Sequence, residues 1–201
     1  LFAASGFDTS NCLMRASDSD FNVGTGSFHV AMWINTSGAA AEEALLTLYP
    51  DSGDWWGIIM SSSEAVRMDT NDGVTPTSTP GTTVATNTWV KIDAVYNATS
   101  GNIEMYHNGV LVSETDNSSI TTLSGSTQQF NIGVYDNPSG SPSGPATSTS
   151  IALPRLSMTA PNAAQVRQMY EAEKGMFVAS AKCLLQGASD AVLDVSINPH
   201  T

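Results

Sequence analysis

Residues 28–34 read Phe28-His29-Val30-Ala31-Met32-Trp33-Ile34. Along an extended chain successive side chains point to opposite faces, so Phe28, Val30, Met32 and Ile34 share one face. This period of two predicts a β-strand whose shared face lies in a core. Residues 88–96, Thr88-Trp89-Val90-Lys91-Ile92-Asp93-Ala94-Val95-Tyr96, repeat the pattern, with Val90, Ile92, Ala94 and Tyr96 set against Trp89, Lys91, Asp93 and Val95.

Working outward, Asn102-Ile103-Glu104-Met105-Tyr106 and Val110-Leu111-Val112-Ser113-Glu114-Thr115 flank Asn108-Gly109. An Asn-Gly pair supplies the two positive φ angles of a tight hairpin turn. Residues 44–49, 55–60 and 65–68 read as three further strands, separated by Pro50-Asp51-Ser52-Gly53 and Ser61-Ser62-Ser63. Residues 130–135 and 150–157 follow, and Pro154 in the second predicts an edge position, a bulge or a strand end. Short strands joined by polar turns, with no βα alternation, predict an all-β fold: an antiparallel two-sheet sandwich.

One segment departs from the period of two. Over residues 162–174, Asn162 can cap a helix, Gln165 can close a capping box, and Val166, Met169 and Tyr170 form an i, i+3, i+4 stripe. Gly175 stands at the C′ position. This single helix is expected to pack on the outside or one end of the sandwich. Residues 71–87 and 136–145 read as long polar connections. Beyond the linker-like residues 182–190, Ala191, Leu193, Val195 and Ile197 alternate as one more strand. The predicted organisation is a sandwich over residues 1–177, then a linker and strand over 178–201 leading into a further unit or an assembly interface. Leu1 at the start and the turn-like Asn198-Pro199-His200-Thr201 at the end predict a piece of a longer protein.

Seven Lys and Arg against nineteen Asp and Glu leave a net charge of −12 over 201 residues, which repels nucleic acid and anionic lipid. No run of apolar residues is long enough for a spanning helix, and the N-terminus lacks the basic and apolar regions of a signal peptide. Cys12 and Cys183 stand far apart with no CxxC spacing, so two reduced thiols are expected rather than a zinc or redox motif.

The order of these pieces resembles a concanavalin A-like, laminin G-like domain of the kind found in bacteriophage virion proteins, over about residues 8–177. Four stretches carry the resemblance. They are Ser19-Asp20-Phe21-Asn22-Val23-Gly24-Thr25-Gly26-Ser27-Phe28 running into the first strand, Thr88-Trp89-Val90-Lys91-Ile92, and Tyr106-His107-Asn108-Gly109-Val110-Leu111. The fourth is Pro154 to Gln165 followed by Met169-Tyr170-Glu171-Ala172-Glu173-Lys174-Gly175-Met176-Phe177, and this strand-plus-helix ending points to tail-fibre and appendage proteins. The resemblance implies two curved sheets in a jelly roll, ligands on the concave face or rim loops, and calcium at the rim in some relatives. It also implies virion partners, a homo-oligomer such as a trimer, and a place on the exterior of the particle. The same fold hosts lectins, glycan-cleaving enzymes and structural modules, so function rests on the site.

Retaining glycosidases hold two carboxylates about 5 Å apart. The Glu-x-Asp-x-x-Glu strand of glucanase relatives is absent, and Asp18/Asp20, Glu42/Glu43 and Glu114/Asp116 fall in turns, a connection and a hairpin end. A non-enzyme is therefore expected. His29, His107 and His200 are scattered and support neither a triad nor a histidine metal site. Calcium takes oxygen ligands from loops, for which Asp51, Asp54, Asp72, Asp116 and Asp136 are available, although their spacing selects none. Alternation points Trp55 and Trp56 to opposite faces, so at least one can be a platform for sugar stacking, against packing between the sheets as the alternative. Tyr135, Asp54 and Asp136 complete the candidate site as hydrogen-bonding neighbours. The reading is a non-enzymatic virion module binding a host-surface glycan; the alternatives are a decoration or connector protein and a polysaccharide-cleaving enzyme.

Overall fold

The computed structural model describes residues 3–16, 18–49, 53–73, 76–117, 123, 129–136, 142–177, 183–184 and 196–197. Strands β2 (Phe28–Thr36), β8 (Val90–Asn97), β9 (Asn102–His107), β10 (Val110–Asp116) and β14 (Thr149–Ser157) form one antiparallel sheet in the order β10-β9-β8-β2-β14. The second sheet contains β1 (Leu13–Arg15), β3 (Glu43–Tyr49), β4 (Asp54–Met60), β5 (Ala65–Asp72), β6 (Pro76–Ser78), β7 (Thr82–Thr83) and β11 (Gln129–Ile132). Its order is β1-β11-β3-β4-β5-β6, with β7 also paired to β5. Two short pairs complete the strands: β12 (Tyr135–Asp136) with β13 (Pro142–Ser143), and β15 (Cys183–Leu184) with β16 (Ser196–Ile197). The all-β, two-sheet sandwich expected from the alternation is the observed architecture, in the jelly-roll form that the resemblance implies.

Register decides which side chains meet. Phe28 faces Tyr96, Val30 faces Ala94 and Met32 faces Ile92 across β2 and β8, all turned inward. On the second sheet, Leu48, Trp56 and Thr70 form one inward row across β3, β4 and β5, and Leu46, Ile58 and Met68 form the next. The two inner faces interdigitate, and Phe28 lies with its ring centroid 5.4 Å from Trp56 and 5.7 Å from Tyr96. Each such side chain, fully buried, contributes about 1.5–3 kcal/mol.

The outer face of the five-stranded sheet carries Trp33, Val95, Tyr106 and Ala152, an apolar area that requires a cover. Helix α1 (Ala163–Glu173) provides it. Asn162 accepts from the Gln165 amide at 3.0 Å and Gln165 Oε1 accepts from the Asn162 amide at 2.9 Å, the capping box expected of that sequence. Val166 packs on Val95 and Tyr106. Gly175 occupies the C′ position, but the chain continues through a 3₁₀ turn, Lys174–Phe177, which lays Phe177 flat on Trp33 at 4.0 Å. Glu173 fastens this end: it accepts from Trp33 Nε1 at 2.8 Å and from both Arg155 amino groups at 2.6 and 3.0 Å. Those bonds outweigh the effect of burial and lower the Glu173 pKa.

Beneath the helix lie Lys91 and Asp93, neither exposed to solvent, on the face opposite Ile92. Asp93 Oδ1 is paired to Lys91 Nζ and lies 2.9 Å from His29 Nε2. A buried charge is tolerated only with such partners.

Several loop expectations change. Residues 71–87 are not a plain connection: β5 extends to Asp72, and β6 and β7 fold back to pair with it, because β-branched threonines suit a sheet edge. The strand expected over 130–135 breaks at Gly133, whose φ of +80° turns β11 into β12. Within 136–145, residues 142–143 pair with 135–136 and residues 137–141 lie outside the described residues. The strand expected over 191–197 is described only at Ser196–Ile197, paired to Cys183–Leu184 inside the expected linker. β1 was not anticipated by alternation; it is too short to carry a period. Pro154 sits where its chemistry predicts: β14 is an edge strand, with a bulge between Ala152 and Arg155 and Leu153 at φ +48°.

Replacing Asp93 with alanine leaves the Lys91 ammonium buried without its partner and is expected to cost about 3–5 kcal/mol. Urea denaturation of the variant measures it, and an unshifted midpoint would mean that Lys91 finds another acceptor.

Candidate functional site

Among the described residues no helix lies over the outer face of the larger sheet. Parity brings Thr47, Gly57 and Asp69 into one row across β3, β4 and β5, with Asn131 beside Thr47 on β11. Tyr49 and Trp55 stand toward one end of this face, and Ile59 and Arg67 toward the other. The segment after β11 arches over the row. Gly133 donates from its amide to Leu45 O at 3.0 Å, and Thr47 Oγ1 donates to Val134 O at 3.1 Å. This arch buries Thr47 and Asn131 and delivers Tyr135 to the face.

Between arch and strands is a cleft of about 180 Å³, lined by Glu42, Thr47, Tyr49, Trp55, Ile59, Asp69 and Tyr135. Three aromatic rings form one wall. Tyr49 lies 5.1 Å from Trp55 at 44° and 5.6 Å from Tyr135 at 42°. Burial between its neighbours, and then the proximity of Tyr135, raise the Tyr49 hydroxyl pKa. The hydroxyl of Ser143 donates to that of Tyr135 at 3.4 Å. The Tyr135 ring rests against Gly144, which adopts φ +53° and has no room for a Cβ. The other wall is ionic. Arg67 Nε donates to both Asp69 oxygens at 2.9 and 3.0 Å, and its Nη2 donates to Glu42 Oε2 at 2.7 Å. Burial works against the Arg67 charge, but the bonds from Asp69 and Glu42 prevail and raise its pKa.

Of the residues singled out in the sequence, Trp55 and Tyr135 meet in this cleft. Trp56 does not: it is fully buried between the sheets against Phe28, so the platform role considered for it is corrected to core packing. Asp54 is also displaced, since it shares the parity of Trp56, lies opposite Asp72 at the end of β4 and lines no part of the cleft. Burial, then the Asp72 charge, raise its pKa. Asp136 follows Tyr135 on β12, and its side chain lies outside the described residues. Tyr49, Arg67 and Asp69 were missed, and Glu42 was weighed only as a catalytic carboxylate. Tyr49 was legible in principle, because it alternates with Leu48 in the same phase as Thr47, whereas the meeting of Glu42 with Arg67 depends on a turn.

Neighbouring carboxylates have structural work. Glu43, buried, accepts from Ser148 N at 2.8 Å, Ser148 Oγ at 2.7 Å, Thr149 Oγ1 at 2.7 Å and Thr147 Oγ1 at 3.3 Å, tying β3 to the start of β14. Asp18 caps the turn at Ser19–Phe21 and pairs with Arg15; the Asp20 amide, then Arg15, lower its pKa. His29 belongs to the sealed cluster under α1, and burial holds the His107 pKa at about 4. Among the described residues no three His, Cys, Asp or Glu side chains gather to hold a metal. Of the calcium candidates, Asp54 and Asp72 face each other across β4 and β5, Asp116 ends β10, and Asp51 lies outside the described residues.

A two-sheet jelly roll with an aromatic and ionic cleft on one open sheet face defines a lectin-like β-sandwich. The chain belongs to the concanavalin A-like lectin/glucanases superfamily, whose laminin G-type family model matches residues 8–167. A comparison with curated protein sequences yields no match. Among solved structures, the heptameric SAP-like pentraxin of Limulus polyphemus is similar with a TM-score of 0.60 and 11% identity, covering 84% of this chain and 80% of that one. The CBM40 of the Ruminococcus gnavus IT-sialidase, bound to alpha2,3 sialyllactose, has a TM-score of 0.64 and 10% identity, over 84% of this chain and 97% of that one. The receptor binding domain of botulinum neurotoxin D has a TM-score of 0.67 and 12% identity, over 85% of this chain and 43% of that one. The chain thus spans less than half the length of the toxin domain. At these identities the likeness is one of fold.

A Gly144→Ala substitution strains the positive φ and drives a methyl into the Tyr135 ring, so it is expected to displace that ring from the cleft while the sheets persist. Near-ultraviolet circular dichroism should change with the far-ultraviolet spectrum intact; an unchanged near-ultraviolet spectrum would mean Tyr135 is not held by Gly144.

Proposed function

We propose that this domain is a non-catalytic glycan-binding module on the exterior of a phage virion, part of a tail fibre or appendage, that engages a host-surface glycan. The observation that carries the binding role is the wall of Trp55, Tyr49 and Tyr135 facing Glu42 and Asp69 across an open cleft. An aromatic ring accepts the apolar face of a pyranose, and carboxylates beside it accept the hydroxyl hydrogens. The fold neighbours add support, since one was solved with alpha2,3 sialyllactose and another is a receptor binding domain.

Two points favour binding over cleavage. Glycosidase acids need a carboxyl poised to release a proton, yet the two carboxylates of the cleft are both ion-paired to Arg67. Glu43, their neighbour in sequence, is held by four donors. The virion setting rests on the strand-plus-helix ending through Tyr170-Glu171-Ala172-Glu173-Lys174, and with it come virion partners and a symmetric homo-oligomer such as a trimer.

A second reading, a decoration or connector protein, is favoured by apolar side chains on the outermost strands: Leu13 and Met14 on β1, Val110 and Leu111 on β10. Exposed strand edges of this kind invite pairing with another chain.

The two readings separate on a glycan array and an adsorption assay. Trp55→Ala is expected to abolish glycan retention and competition with phage for host cells, with an unchanged melting temperature. Trp56→Ala instead removes a core side chain and is expected to cost about 3–5 kcal/mol of stability. Undiminished binding by Trp55→Ala would remove the cleft from the function, and absence of any binding by the parent domain would favour the connector.

A further inference from the structure

Resting on the glycan-binding reading, the geometry points to a narrower ligand class: we infer that the cleft takes neutral or amine-bearing pyranosides and rejects sugars that carry a carboxylate. A sugar acid is usually held by the fork of an arginine, two parallel N–H donors on one carboxylate. The cation beside this cleft is Arg67, and one of its forks, Nε with Nη2, is committed to internal carboxylates. Its Nε is shared between both oxygens of Asp69 and its Nη2 donates to Glu42, so a ligand carboxylate reaching the remaining N–H groups would meet a guanidinium whose charge two internal carboxylates already offset.

The balance of charge runs the same way. Two carboxylates line the cleft and the one guanidinium bound to them leaves the set net negative, within a chain whose overall charge is −12. At physiological ionic strength fields are screened over about 8 Å, which still spans a cleft of this size. An incoming carboxylate therefore meets like charge.

Hydrogen-bond chemistry agrees with electrostatics. Glu42 and Asp69 can only accept, and Thr47 Oγ1 gives its hydrogen to Val134 O. The polar wall thus asks for donors, which sugar hydroxyls and ammonium groups supply and carboxylates do not. The aromatic wall adds to this preference, because the negative face of a Trp or Tyr ring attracts C–H groups and cations and repels anions. The acidic alpha2,3 sialyllactose, with which one fold neighbour was solved, is thus a ligand this cleft would disfavour.

The test uses the whole 201-residue chain on an array of oligosaccharides built on glucose, glucosamine and glucuronic acid, with lactose and 3′-sialyllactose as a second matched set. Neutral and amine-bearing glycans should be retained, and their acidic counterparts should bind at least about tenfold more weakly near 0.15 M salt, a gap that narrows as salt rises. Glu42→Gln should narrow it too; the Glu42 side chain is half exposed, so the fold does not depend on it. Binding of the acidic members as tightly as the neutral ones, or tighter, overturns the inference and leaves glycan binding intact. Retention of no glycan on the array overturns the glycan-binding reading and this inference with it.

Discussion

Phe28 is pressed between Trp56 of the opposite sheet and Tyr96 of its own, and the phase of every neighbouring strand follows from that contact. A β-strand has a period of two, so fixing one inward residue fixes which side chains face out. The consequence is sharpest at Trp55-Trp56. A slip of β4 by one residue would carry Trp55 into the core and set Trp56 in the cleft, so the same packing that joins the sheets also decides which tryptophan is available to a ligand.

The two outer faces meet different fates for a physical reason visible in their side chains. Trp33, Val95, Tyr106 and Ala152 make one of them apolar, and leaving that area wet would forfeit several kcal/mol, so α1 covers it. The other carries Thr47, Gly57, Asp69 and Asn131, with little to gain from a helix. Each face holds an ionic cluster. That of Lys91, Asp93 and His29 is sealed and structural. That of Arg67, Asp69 and Glu42 stays partly open, with the Glu42 side chain half exposed.

Alternation and turn chemistry made the sheets legible in the sequence, because Phe28 to Ile34, Val90 to Tyr96 and Asn108-Gly109 each carry their signal within a few residues. The helix was equally local, through Asn162 and Gln165. What escaped was set by partners distant in the chain. β6 and β7 are strands because β5 offers them an edge, and β12 exists because Gly133 turns the chain back over Thr47. Half of the site was legible for the same reason: Trp55 and Tyr135 announce themselves as aromatics beside loops, whereas Arg67 becomes a site residue only through Asp69 in its own strand and Glu42 twenty-five positions away. Parity alone was enough to oppose Trp55 to Trp56; choosing between them required knowing which face the other sheet covered.

The stacking of Phe177 on Trp33 gives the domain a back and a front. The chain reaches Phe177 on the outer surface of the five-stranded sheet, across the full thickness of the sandwich from Trp55 and Tyr135. Both sheets therefore separate the surface under α1 from the aromatic wall, so the two faces can change independently: a substitution on one adds to a substitution on the other without coupling to it.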